Sequence, residues 1–454
     1  MSQLDLSQGK IPRILAKFAW PLVLTNLLQT LFTLTDVLLA GRLIGPEAMS
    51  AVTIGGQSTL FLLTFSLGLT AGGQILIAQL KGAKQTEAQN RAAKSLFVLS
   101  LTVGIAAAAL GFFLTPAALR LLQAPAEAVE GARQYMRITS IGLPFVFVYN
   151  AAAGILRGLG DAKRPLIFAA VSAVLHLGIG LLFVGPLSTG ISGLAIATVT
   201  AQAVAAVSGA AYLCIRHRKS QSANSPPAAE WQAKPDGAVS RILKIGLPFG
   251  LQMCLLNLSN LFIIRLVNPY GVAASAALGV GSRVTNLLII PMLAIGNAAS
   301  TVAGQNLGAG KPERAAAAVR WALVYTLGFV TVTTTLTLLF PAQFVNIFTS
   351  DPNVTQIAIQ YLTIFAWCYV AYALHASFNA AILGAGLTIY SLSAAGVEVL
   401  LGRIGLTWAF SFIWGLSGIF TAQAIAPYLA AVLSIIYYFT IRWRKTMLVD
   451  KNTP

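Results

Sequence analysis

The chain has 454 residues, 57% hydrophobic and only 9% charged, with a mean hydropathy of +0.77. Soluble domains carry about a quarter charged residues, so an ordinary globular enzyme is excluded. The formal net charge of +17 invites a nucleic-acid reading, but the basic residues gather on alternate connections between apolar runs rather than on one face.

Twelve apolar runs predict an all-α membrane protein, because each is long enough to cross a hydrocarbon core of about 30 Å. The first covers 18–40. It is too long for a signal peptide and lacks a small-residue cleavage site, so it reads as a true span. It carries Pro21, Gln29 and Asp36. A carboxylate inside a span is costly unless neutralised, paired or cation-bound, and marks a working site by default. Asp36 reads as a coupling-ion group, with a static, hydrogen-bonded carboxylate as the bland alternative. Pro21 removes a backbone hydrogen bond and predicts a kink in the helix that carries the acid.

Spans two and three (51–78, 95–116) are joined through Lys81, Lys84, Arg91 and Lys94. Span four (134–156) contains Tyr135 and Asn150, span five (165–187) His176, and span six (191–215) Thr198. An imidazole can relay a proton, pair with a carboxylate or simply pack. Hydroxyls and amides in membrane helices usually bond a neighbouring helix. Gln29, Tyr135, Asn150 and Thr198 together could line a polar pocket around Asp36. A polar stretch with Ser225-Pro226-Pro227 follows and reads as a cytoplasmic linker, partly disordered.

Spans seven to twelve cover 242–267, 275–303, 319–340, 357–382, 388–413 and 416–441. Asn260, Leu261 and Phe262 occupy the place that Asp36 holds in the first half, so the acid is one-sided. His375 lies in span ten, either lining a pathway or packed. Span eleven holds Glu398 and Arg403. Five residues is a poor same-face spacing on an α-helix. The pair reads as a structural ion pair or, alternatively, as a second proton or substrate site. Cys214, Cys254 and Cys368 have no metal or disulfide spacing. No metal site and no catalytic set is expected.

The halves repeat at an offset of about 226 residues. Ala78-Gln79-Leu80-Lys81-Gly82-Ala83-Lys84 answers Gly304-Gln305-Asn306-Leu307-Gly308-Ala309-Gly310, Tyr135 answers Tyr361, and Gly158-Leu159-Gly160 answers Gly384-Ala385-Gly386. Six spans per copy give both copies the same orientation, a parallel repeat about an axis along the membrane normal, as in secondary transporters. The expected domains are an N-terminal lobe (1–215), a linker (216–241) and a C-terminal lobe (242–454). Basic residues on alternate connections put both termini in the cytoplasm, of a plasma (inner) membrane protein. There is no G-x-x-x-x-G-K-[ST] phosphate loop, so an ion gradient is the expected energy source. The chain reads as no enzyme and needs no cofactor.

These motifs resemble the multidrug and toxic-compound extrusion (MATE) family across about residues 10–445. The matching residues are Pro21 with Asp36, Gly41-Arg42-Leu43-Ile44-Gly45, Leu156-Arg157-Gly158-Leu159-Gly160-Asp161 with Pro165, Gly193–Thr198, Gly304–Gly310 and Asp351-Pro352. The resemblance implies two six-helix bundles and export of cationic or amphipathic compounds in exchange for H⁺ or Na⁺ by alternating access. The first-helix acid, with none in the seventh helix, is similar to the prokaryotic DinF-type branch. That branch implies a coupling role for Asp36, with Tyr135, Asn150 and Thr198 at matching places. The chain departs from the branch on the fifth helix, where Asn, three residues and Asp are replaced by His176 and Gly180. Loss of a second carboxylate removes an oxygen ligand favoured by a hard cation, so the reading leans to H⁺, with Na⁺ left open. The partners implied are a small substrate and the bilayer, with a monomer sufficing and no nucleic acid. A flippase for a lipid-linked sugar or other metabolite is the runner-up. It would need cationic lining, for which Arg265, Arg283 and Arg403 are the candidates.

Overall fold

The structure, a computed structural model, describes residues 4–121, 125–223 and 237–446. Among them every regular element is a helix. The first half holds α1 (Ile11–Leu39), continued by a π-helical turn (Ala40–Ile44), then α2 (Pro46–Gly82), α3 (Thr86–Leu121), α4 (Ala126–Gly158), α5 (Lys163–Val184) and α6 (Gly190–Ala223). The second holds α7 (Ala238–Val267), α8 (Val272–Gly308), α9 (Pro312–Leu339), the short α10 (Pro341–Asn346), α11 (Pro352–Phe365), α12 (Cys368–Gly384), α13 (Thr388–Val397), a π-helical segment (Glu398–Leu406) and α14 (Thr407–Thr440).

Each expected span is helical. α11 and α12 form one pass, bent by 44°. The run from Thr388 to Thr440 is too long for one pass, since an α-helix rises about 1.5 Å per residue. Gly415 breaks it (φ 56°, ψ −133°). Beyond that break Gly418 lies directly against the Phe410 carbonyl, so the chain doubles back there. Twelve passes result among the described residues. Asp351 caps α11 by accepting from the backbone N–H groups of Asn353 (2.8 Å) and Val354 (3.2 Å), with Pro352 at the first helical position. α6 runs on to Ala223 and α7 starts at Ala238, so both ends of the expected linker are helical. Residues 224–236, where disorder was expected, lie outside the described residues.

Contacts divide the chain into two compact units. One contains Leu24–Ile77 and Gln85–Gly250; the other contains Met1–Val23, Ala78–Lys84 and Leu251–Pro454. These boundaries depart from the expected lobes, because the first part of α1 and the end of α2 group with the second half. The N-terminal segment shows why. Leu6 is fully buried, its N–H donates to Gln305 Oε1 (3.3 Å), and its carbonyl accepts from Asn306 Nδ2 (3.0 Å). Lys311 and Arg314 donate to the Ser7 and Gly9 carbonyls.

The outer faces carry large exposed apolar side chains such as Phe113, Val174, Phe412 and Phe439, which suits contact with lipid rather than water. The repeat recurs as matched packing. A Cβ on Gly55 would lie 2.7 Å from the Tyr135 ring, and one on Gly281 would strike Tyr361. α4 and α12 both end on a left-handed glycine, Gly160 (φ 85°) and Gly386 (φ 77°).

Candidate functional site

Asp36 sits on the last α-helical turn of α1, just before its π-helical turn. It is 5% exposed, and three helices converge on it. Tyr135 of α4 donates its hydroxyl to Oδ2 (2.9 Å). His176 of α5 places Nε2 at 2.8 Å from Oδ1. Thr198 of α6 has Oγ1 at 3.2 Å from both carboxylate oxygens, 3.2 Å from His176 Nε2 and 3.1 Å from the Leu194 carbonyl. All four residues belong to one unit.

Local sequence fixes each position. Phe32 lies one turn before Asp36 on the same face of α1 and stacks on the His176 ring, centroids 4.0 Å apart and planes 17° apart. The absence of a side chain at Gly55 of α2 leaves room for the Tyr135 ring. Gly180 lies one turn after His176, and a Cβ there would come within 2.9 Å of Leu39 Cδ1. A side chain at 180 would therefore have to push the Leu39 methyl aside.

His176 is fully buried, and its Nδ1 has no hydrogen-bond partner among the described residues. Nε2 is the ring nitrogen turned to Asp36, so the carboxyl group faces three polar neighbours, Tyr135, His176 and Thr198.

A family model described as MatE matches residues 21–182 and again 248–409. The chain belongs to the MATE family. The two matches also reproduce the repeat at close to its expected offset. A relative from Bacillus subtilis, named probable multidrug resistance protein YpnP, is 30% identical over 452 residues and covers 100% of both chains. A solved structure of a multidrug resistance MATE family transporter in an outward-facing conformation superposes with a TM-score of 0.90 at 23% identity, over 97% of this chain and 98% of that one. A MOP superfamily transporter from Pyrococcus furiosus gives 0.89 at 22% identity over the same shares. These likenesses agree with the MATE fold of twelve helices in two lobes.

Not every expected residue joins Asp36. Asn150 donates instead to Ser66 Oγ (3.0 Å). Gln29 is exposed on α1. Pro21 is buried, and α1 continues through it as one helix. His375 lies in the other unit, with Nδ1 2.9 Å from Ser434 Oγ. The expectation that Glu398 and Arg403 are badly spaced is corrected. They lie within the π-helical segment, where i→i+5 neighbours align, and Arg403 Nε donates to Glu398 Oε1 at 3.0 Å. Sequence reasoning missed Phe32, Gly55 and Leu39. Only Phe32, four residues before Asp36, carried a readable signal.

Proposed function

We propose that this MATE protein is a multidrug efflux antiporter, exporting organic cations or other amphipathic compounds from the cytoplasm in exchange for protons by alternating access. It works in the plasma (inner) membrane with both termini cytoplasmic. The Bacillus subtilis relative is named a probable multidrug resistance protein, which supports the multidrug part of the reading. The proton reading rests on one observation, the hydrogen-bonding choice open to Thr198.

With Asp36 ionised, Thr198 donates to the carboxylate. When Asp36 takes a proton, the carboxyl becomes a donor and one neighbour must turn into an acceptor. Thr198 can do so by rotating its hydroxyl toward the Leu194 carbonyl, 3.1 Å away, while its lone pairs receive the new O–H. One rotor resolves the clash without moving a helix. A bound Na⁺ would instead want several oxygens around the carboxylate, and one of the three groups bonded to it is the His176 ring nitrogen. Proton binding changes the charge and bonding at the end of α1, and so biases the equilibrium between access states.

The test is dye efflux from proteoliposomes under separately imposed pH and Na⁺ gradients. A pH gradient alone should drive efflux in the wild type, and Asp36→Asn should abolish that drive. Efflux that follows Na⁺ only, or a pH-driven Asp36→Asn protein, sinks the assignment.

A further inference from the structure

At the repeat's offset of about 226 residues, Arg403 stands one residue beyond the place that answers His176. Both copies therefore carry a base close to that place, and both bases are bonded to a carboxylate. The chemistry differs. Imidazole titrates near neutral pH, whereas a guanidinium keeps its charge and cannot serve as a proton relay. In the first copy the acid comes from α1. In the second, the corresponding helix α7 offers the neutral Ser259 and Asn260, and the acid, Glu398, comes from the base's own helix.

Arg403 is held by four neighbours within its unit. Besides Glu398, its Nη1 donates to Asn260 Oδ1 (3.0 Å) and reaches Ser259 Oγ (3.5 Å), and its Nη2 donates to the Tyr372 hydroxyl (3.1 Å). Glu398 is 6% exposed. As a stabilising device the pair is weak, because apolar replacements of buried ion pairs are often no less stable. Ionisable groups inside spans mark ligand or ion pathways. Glu398 also meets the guanidinium through a single bond to Nε, not through the two-toothed fork that Arg and carboxylates favour. The other edge is spent on neutral groups. Tyr372 and Asn260 each have a donor to turn toward an oxyanion placed there, while the Ser259 hydroxyl donates to the Leu256 carbonyl at 2.7 Å and would have to rotate away from it. Asn260 is exposed, so the cluster reaches the surface of its unit. The pairing depends on a nine-residue π-helical segment, a form frequently found at functional sites.

We propose that Arg403, with Tyr372, Ser259 and Asn260, binds the carboxylate or phosphate group of an amphiphilic substrate, and that Glu398 is the built-in counter-ion which this group displaces. The cargo range then extends to anionic and zwitterionic amphiphiles. That the ligand is cargo rests on the export reading above; its binding does not.

The experiment is direct binding to the purified full-length protein, with no gradient. The probes are a dansyl-labelled alkyl carboxylate, the matching alkyl phosphate and the carboxylate's methyl ester, read by dansyl fluorescence. Either anion should bind at least about tenfold tighter than the ester, the scale of a charge-assisted contact. Glu398→Gln removes the competing carboxylate and should tighten anion binding by about tenfold. The double variant Glu398→Gln/Arg403→Gln leaves a neutral, polar pair and should bind the anions no better than the ester. A purely structural ion pair predicts no tightening in Glu398→Gln. That outcome, equal binding of the ester, or anion binding retained by the double variant would each overturn the proposal.

Discussion

Gly55→Ala tests the Asp36 site without touching any of its polar groups. The added methyl would stand 2.7 Å from Tyr135 Cδ1 and 3.3 Å from Met136 Cγ, where ordinary contact begins at 3.4 Å. The ring must yield about 0.7 Å, and a shift of that size directed away from Asp36 would stretch the Tyr135–Asp36 bond from 2.9 Å to about 3.6 Å, too long for a hydrogen bond. A hydrogen bond to a charged group is worth about 1.5–3 kcal/mol. Overpacking costs about 1–3 kcal/mol, and the helix preference of Ala over Gly returns about 1 kcal/mol. The net destabilisation is roughly 1.5–5 kcal/mol by these terms. The assay compares Gly55→Ala, Tyr135→Phe and the double variant in pH-driven dye efflux and thermal unfolding. If Gly55→Ala acts by pushing the tyrosine, the double variant exports no worse than Tyr135→Phe alone, with a coupling energy of about 1.5–3 kcal/mol. Gly281→Ala strikes Tyr361 in the same way and serves as the control. It should lower stability and leave the pH response intact. Wild-type efflux in Gly55→Ala, or single effects that simply multiply in the double, would refute the reasoning.

His176→Phe keeps a ring against Phe32 but removes the Nε2 contact with Asp36. pH-driven efflux should fall by about tenfold or more, and undiminished efflux would make the imidazole a packing group. Lys84 is left-handed (φ 60°) where its repeat partner is Gly310 (φ 70°). Lys84→Gly should therefore raise stability by about 0.5–1 kcal/mol in thermal unfolding, and an unchanged melting temperature would count against strain there. Burial opposes the charge of Asp5, but two bonds from Ser7 and the charges of Lys81 and Lys311 outweigh it, leaving the carboxyl below its usual value of 3.8. A carboxyl lowered in the folded state contributes stability above the unfolded value and loses it as pH falls through the folded one. Asp5→Asn should thus lower stability near neutral pH and converge with the wild type in acid. Parallel melting curves at all pH values would contradict this.

The fold was legible because lipid imposes a simple rule, that every backbone polar group must be satisfied within the span, so apolar runs of the right length become helices. Asp36, Tyr135, His176 and Thr198 were legible for a related reason, since polar groups are rare enough in such runs to be noticed singly. What sequence did not disclose is geometry that a uniform 3.6-residue helix cannot express. Asn150 reads like a member of the Asp36 set, yet Ser66 on α2 takes it, and nothing in the spacing between spans gives that pairing. Glu398 and Arg403 make the point most sharply. On an α-helix the two side chains diverge, so the sequence argues against a tight pair. In the π-helical turn they meet, and the segment bends the period to suit the pair. The same logic separates the two copies. A repeat fixes roughly where a polar cluster can stand, while the base found there, imidazole at 176 and guanidinium at 403, sets the chemistry open to it, a titratable group in one copy and a fixed cation in the other.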